Sequence, residues 1–112
     1  MLLLTTRGRR TGRERTTPLA FFRDGERLIV CGGSGGTPDH PAWFLNLRAR
    51  PQVHVQIGAE IFTAVAHEAE GAERRALWRR ACEEVPLVMS YQKRTKRRVP
   101  VVVLELSHPR AD

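Results

Sequence analysis

The chain has 112 residues, enough for one domain (1–112) whose core needs neither disulfide nor metal to fold. Its formal charge of +7 and pI near 10.9 fit an anionic partner, whether phosphorylated small molecule, nucleic acid or membrane surface, and do not choose among them. Arginine supplies all of the nineteen basic residues except Lys93 and Lys96, a skew that a GC-rich genome also produces. Cys31 and Cys82 form no CxxC pair and have no histidine at metal-ligand spacing, so they read as free thiols of a reducing cytoplasm. The apolar run Met1 to Leu4 meets Thr5 and Thr6 at once, too short for a signal peptide or a membrane span, and a cytoplasmic protein is expected.

In chain order, Leu2 to Thr6 reads as a short buried strand, and Arg7 to Glu14, punctuated by Gly8 and Gly12, as a loop. Arg15 to Arg23 and Arg27 to Cys31 read as two strands joined by a hairpin turn at Asp24-Gly25. The run Gly32-Gly33-Ser34-Gly35-Gly36 ends the second strand, and Pro41 is placed at the first position of a short helix that buries Trp43, Phe44 and Leu47 and stops before Pro51. Val53, Val55 and Ile57 alternate with polar residues as in a half-buried strand, and Gly58-Ala59 turns into a partner starting near Glu60. Between Ala72 and Val85 an amphipathic helix faces Leu77, Trp78, Ala81, Cys82 and Val85 inward, with Arg74, Arg75, Arg79, Glu83 and Glu84 mostly on the other side. Leu87 to Thr95 follows Pro86 as a second short helix, and Val99 to Leu106 is the last strand. Antiparallel strands with helices over the openings predict a mainly β, α+β fold of small-barrel type rather than a doubly wound sheet.

Chemistry-bearing residues concentrate in few places. Arg7 to Arg13 gathers guanidinium groups, a hydroxyl and glycine-freed amides in seven residues, the mixture that phosphate or carboxylate recognition uses, and equally a solvated basic turn. It matches neither nucleotide-binding glycine motif. The glycine run after Cys31 is either a loose connection or a place where a ring or phosphate approaches backbone. Trp43 and Phe44 are core residues or stacking platforms, Asn46 bonds a heterocycle edge or caps a loop, and Tyr91, the sole tyrosine, donates to an acceptor carbonyl or faces solvent. His40, His54, His67 and His108 form no metal pattern, so no metal is expected, and no serine sits in a GxSxG elbow.

Taken together, Leu4-Thr5-Thr6-Arg7-Gly8-Arg9-Arg10-Thr11-Gly12, Arg15-Thr16-Thr17-Pro18-Leu19, Ser34-Gly35-Gly36, His40 to Pro51 and Val99 to Glu105 resemble, in order and over nearly the whole chain, the successive motifs of the deazaflavin-dependent nitroreductases. The resemblance implies a split β-barrel of the flavin-reductase and pyridoxamine-oxidase kind, holding coenzyme F420 in a groove. By analogy Arg9, Arg10 and Thr11 bind the phosphate or acidic tail, while Arg15, Thr16, Thr17, Pro18, Leu19 and Ala20 border the cofactor with Cys31, Gly32, Gly33 and Ser34. Ala42, Trp43, Phe44, Leu45 and Asn46 line it from the short helix. The implied reaction is hydride transfer to a quinone, nitro-aromatic or activated alkene, with Tyr91 or water completing protonation and Val88 and Tyr91 in the acceptor pocket.

The sequence departs from the family at Ser34, where relatives often have lysine, and at Val85 and Val88, where one branch has aromatics. It also begins almost at the first strand, without the N-terminal cover of many relatives, so a barrel that carries F420 or flavin mononucleotide without turnover is the alternative expectation. A yellow protein as isolated would point to flavin mononucleotide. The basic loop and Arg94 to Arg98 would suit a nucleic-acid-binding module, but that needs exposed aromatics or a basic reading helix, and Trp43, Phe44 and Trp78 read as buried, so no nucleic-acid partner is expected. A homodimer and a peripheral membrane contact for meeting a lipid quinone are further expectations by analogy.

Overall fold

The computed structural model describes residues 1–33 and 38–107. Its elements are β1 (Leu2–Arg7), β2 (Glu14–Leu19), β3 (Phe22–Asp24), β4 (Arg27–Cys31), α1 (Ala42–Ala49), β5 (Gln52–Ile57), β6 (Glu60–Glu68), α2 (Gly71–Glu84), α3 (Leu87–Arg94) and β7 (Val101–Leu106). The strands form one antiparallel sheet in the order β2-β1-β5-β6-β7-β4-β3. Its two outermost strands, β2 and β3, are separated in the chain by Ala20 and Phe21 alone. Two residues span only about 7 Å, so the sheet must curl until its edges nearly meet. That closure makes the barrel.

Side-chain alternation explains where the core lies. On β1, β5 and β6 only one parity is buried, Leu2 and Leu4, Val53 and Val55, Ala64 and Ala66, and these point into the barrel with Trp43, Phe44 and Leu47 of α1. β4 and β7 are buried on both faces. Leu28, Val30, Val102 and Leu104 face the interior, while Ile29, Val101 and Val103 face outward beneath Leu77 and Ala81 of α2 and Val88 of α3. This double burial accounts for the continuous apolar run of the last strand.

Several boundaries differ from the sequence expectation. The single strand expected over Arg15 to Arg23 breaks at Ala20-Phe21, because the chain crosses there from one sheet edge to the other. The hairpin turn is Gly25-Glu26, one residue later than expected, since Asp24 still pairs with Arg27. Pro41 is the N-cap, with extended backbone at ψ 150°, and α1 begins at Ala42. Val99 and Pro100 precede the last strand.

Arg74, expected on the polar face of α2, is only 7% exposed. Its Nη1 donates to the carbonyl of Val99 at 2.7 Å and its guanidinium lies 5.1 Å from the Trp78 ring. The Val99 carbonyl precedes the ladder of β7 and needs a donor, which the long arginine side chain supplies across the helix–sheet gap.

The β3–β4 hairpin is fastened to α2 by an ion-pair cluster. Arg27 donates to Asp24 and, at 2.9 Å, to Glu73; Arg80 reaches Asp24 at 2.9 Å and the Arg23 carbonyl at 2.7 Å; and Nε2 of His67 lies 3.0 Å from Glu73. Hydrogen bonding from Arg27 is the main cause holding both carboxyls below their ordinary values of 3.8 and 4.5. A depressed folded value means stability that is fully present at neutral pH and lost as pH falls below those ordinary values. The pairs are about one-third exposed, which limits the effect to under about 1 kcal/mol. Urea midpoints measured between pH 6 and pH 3 are expected to fall less steeply in Arg27→Met than in the wild type; parallel slopes would remove Arg27 from the acid response.

Candidate functional site

Two clefts draw on successive residues of β2. The first, about 580 Å³, is lined by Gly8, Arg9, Arg10, Thr11, Arg15, Thr16, Thr17, Ala42, Trp43 and Asn46. Among the described residues no carboxylate lines it. The second, about 330 Å³, starts where the first ends, at Pro18, Leu19 and Ala20, and is walled by Met1, Phe22, Ile29, Cys31, Val85, Leu87, Val88 and Tyr91. A strand that is threonine- and arginine-rich for one half and apolar for the other thus presents a basic compartment beside an apolar one.

The basic compartment is organised by its loop. The amide of Gly8 donates to the Arg13 carbonyl at 2.7 Å, the amide of Gly12 to the Gly8 carbonyl at 2.9 Å, and the amide of Arg13 to Oγ1 of Thr11 at 3.2 Å. Gly12 completes this tight turn at φ 74°, where a side chain would be strained. Asn46 ties the loop to the barrel. Only 3% exposed, it accepts at Oδ1 from the backbone amide of Arg9 at 3.2 Å and from its Nη1 at 2.9 Å, and its Nδ2 donates to Oγ1 of Thr6 at 3.3 Å. Arg9 is therefore partly engaged in holding the loop. Arg10 and Arg15 are exposed and have no partner among the described residues.

The hydroxyl in the apolar compartment is that of Tyr91, and it makes no hydrogen bond to another described residue. Burial pushes the Cys31 thiol up to about 12, so it stays protonated at neutral pH and serves as apolar wall. Val88 is 2% exposed and contributes an edge of the wall.

Of the residues singled out from sequence, Arg9, Arg10, Thr11, Arg15, Thr16, Thr17, Ala42, Trp43 and Asn46 meet in the basic cleft, and Pro18, Leu19, Ala20, Cys31, Val88 and Tyr91 in the apolar one. Phe44 and Leu45 line neither; Phe44, 1% exposed, belongs to the barrel interior because α1 turns that face inward. Gly32 and Gly33 also line neither. Both are buried, Gly32 under Pro100 and Gly33 under Tyr91, so side chains of the protein itself make the close approach there. Ser34 lies outside the described residues. Met1, Phe22, Ile29 and Leu87 were not singled out, since apolar residues on separate elements carry no local signal of a shared wall. A further groove of about 270 Å³ over β1, β5 and β6 contains both Arg7 and Glu14 and so has no preference for anions. Among the described residues no cluster of His, Cys, Asp and Glu could hold a metal ion, and no helix is long and apolar enough to cross a membrane.

Residues 1–106 match the family model described as F420H(2)-dependent quinone reductase. The chain belongs to that family. It is 38% identical over 106 residues to an F420H(2)-dependent quinone reductase of Mycobacterium tuberculosis strain H37Rv, covering 92% of this chain and 71% of the relative. Among solved structures it is similar to an F420-H2 dependent reductase (FDR-A), with a TM-score of 0.84 and 36% identity over 93% of this chain and 92% of that one. The heme storage protein HutZ of Vibrio cholerae, 16% identical with a TM-score of 0.67 over 96% of this chain and 81% of its own, shares the fold alone. The fold is thus the split barrel, and the F420H(2)-dependent quinone reductase family is one of oxidoreductases.

The donor set suits coenzyme F420. Its tail carries a phosphate and carboxylates, and the basic cleft offers guanidinium and threonine hydroxyl groups with no opposing carboxylate. Its flat ring system suits the apolar neighbour.

Proposed function

We propose that this protein oxidises reduced coenzyme F420 and passes the hydride to a quinone, with nitro-aromatics and activated alkenes as further acceptors. The observation that supports this most is the division of one short stretch of chain between the two clefts, with Arg15, Thr16 and Thr17 in one and Pro18, Leu19 and Ala20 in the other. Arg10 and Arg15 would take the anionic tail, and Thr11, Thr16 and Thr17 would add hydroxyl contacts. When bound, the deazaflavin supplies a hydride, that is, two electrons with one proton. A quinone that gains a hydride needs one more proton to become a hydroquinone. Tyr91 is the polar group of the apolar cleft that can give it, its phenol then recovering a proton from bulk water. The surrounding Phe22, Ile29, Val85 and Leu87 offer apolar surface to a flat acceptor.

The test is a titration with F420 and, separately, with flavin mononucleotide, followed by single-turnover oxidation of the reduced deazaflavin by menadione. Binding of F420 with turnover supports the assignment; binding without turnover makes the barrel a carrier, and no binding overturns it. Tyr91→Phe is expected to lower the single-turnover rate about tenfold, less than the roughly 100-fold or more usual for a lost proton donor because water can replace it. An unchanged rate would assign the proton to water.

A further inference from the structure

Arg97 follows α3 and takes no part in either cleft. Its guanidinium nonetheless closes a ring of contacts behind Tyr91 of the apolar cleft. Nη1 donates to the Gly32 carbonyl at 3.0 Å, Nη2 to the Gly33 carbonyl at 2.9 Å, and Nη1 also lies 3.2 Å from Nδ1 of His40. An arginine only donates, so Nδ1 of His40 accepts and the ring proton sits on Nε2. The backbone held by Arg97 is the surface on which Tyr91 rests. A Cβ built on Gly33 runs into Cδ2 of Tyr91 and comes within 3.1 Å of its Cβ and Cγ, so the ring is seated where only glycine leaves room. On the other side of the pair, Gly32 donates to the Pro100 carbonyl at 2.9 Å, and a Cβ there would lie 2.7 Å from Cγ of Pro100. The ring of contacts is completed through Gln92, next to Tyr91 on α3. Its Nε2 donates to the Arg97 carbonyl at 2.8 Å and its Oε1 accepts from the Val99 amide at 2.8 Å.

We propose that Arg97 is a positioning residue for the acceptor site: by holding the Gly32 and Gly33 carbonyls it fixes the backbone seat on which Tyr91 lies and so sets the phenol's direction in the apolar cleft. The inference rests on the reading of Tyr91 as the group that meets the acceptor. The mechanism is geometric. Among the described residues the ladder of β4 ends at Cys31, the Gly32 amide goes to Pro100, and the two adjacent carbonyls of the glycine pair take their donors from Arg97. One planar fork with two parallel donors immobilises both at once, which a lysine's single ammonium cannot do with the same direction. Through His40, whose ring centroid lies 4.9 Å from that of Phe44, the same guanidinium also touches the start of α1, the helix that supplies Ala42, Trp43 and Asn46 to the basic cleft.

Because Tyr91 is the only tyrosine, labelling with 3-fluorotyrosine gives one 19F resonance that reports its ring in the protein without any cofactor. In Arg97→Met the resonance is expected to shift and narrow as the ring gains freedom, while Arg94→Met, an exposed change on α3, leaves it in place. Arg97→Lys is expected to shift it in the same direction by less, and serves where the methionine variant does not fold. A resonance unmoved in Arg97→Lys or in folded Arg97→Met overturns the proposal. The kinetic counterpart is a double-mutant cycle: Arg97→Lys is expected to lower kcat/KM for menadione about tenfold, the scale of a small misplacement of a reacting group, and to have little further effect in Tyr91→Phe. Equal losses in both backgrounds would make Arg97 structural only. Since the resonance needs no F420, a failure of F420 turnover with the expected 19F shifts would count against the proposed reaction and not against the positioning of Tyr91.

Discussion

Replacing both Arg10 and Arg15 by alanine is expected to weaken F420 binding by more than about 100-fold, from the roughly 1.5–3 kcal/mol that a hydrogen bond to a charged group contributes at each position. Both side chains are exposed in the basic cleft and have no described partner to lose, so the thermal midpoint should stay where it is. That separation between affinity and stability is what makes the pair informative. Arg75→Ala, on the outer face of α2 and outside both clefts, also removes a positive charge and should leave binding unaltered. Titration by deazaflavin fluorescence at two salt concentrations checks the result. The wild type should lose affinity with salt more steeply than the double variant, because fewer ionic contacts remain to be screened. A double variant that binds like the wild type would move the anionic tail elsewhere.

Asn46→Ala is expected to have the largest effect on stability among the site residues. The side chain is buried and joins three parts of the molecule, α1, the basic loop through Arg9, and β1 through Thr6, which is itself 1% exposed. Truncation leaves the Thr6 hydroxyl and the Arg9 amide without their partner, at about 2 kcal/mol. For a domain of this size that lowers the melting temperature by roughly 8 °C. Cofactor affinity should fall with it, because the loop that presents Arg10 is no longer tied down. Asn46→Asp separates the two roles. The carboxylate still accepts from Arg9 and Thr6 can donate to it, so much of the stability should survive, yet a negative charge beside the cleft opposes an anionic tail. Calorimetry and titration on the two variants read these effects apart; an alanine variant as stable as the wild type would mean that the loop is held by its internal turn alone.

Apart from the break at Ala20-Phe21 that divides β2 from β3, the sequence by itself determined the strand and helix order, because each depends on local periodicity and on chain breakers. Val53, Val55 and Ile57 alternate, Pro51 and Pro86 stop helices, and Leu77 and Ala81 repeat at helical spacing, all visible without neighbours. It also marked the basic loop, since seven consecutive residues with four arginines and two glycines are a local feature. What the loop binds to inside the protein was not legible. That Asn46 reaches across thirty-seven residues to Arg9, and that Arg97 reaches back sixty-five to Gly32, follows from sheet curvature, which brings distant segments together without leaving a trace in either one.

The same limit explains four residues whose surroundings the sequence did not show. Helical periodicity put Arg74 on the solvent side, but the Val99 carbonyl lies within its reach only because α2 packs over β7. Phe44 has the composition of a stacking platform, and the rotation of α1 turns it into the barrel. Gly32 and Gly33 look like backbone left open for a ligand, and Tyr91 and Pro100, distant in sequence, occupy that space. Local sequence sets which conformations each segment prefers; which side chains then share a cavity is decided by the closure of the sheet between β2 and β3, a property of the assembled strands and of no single one.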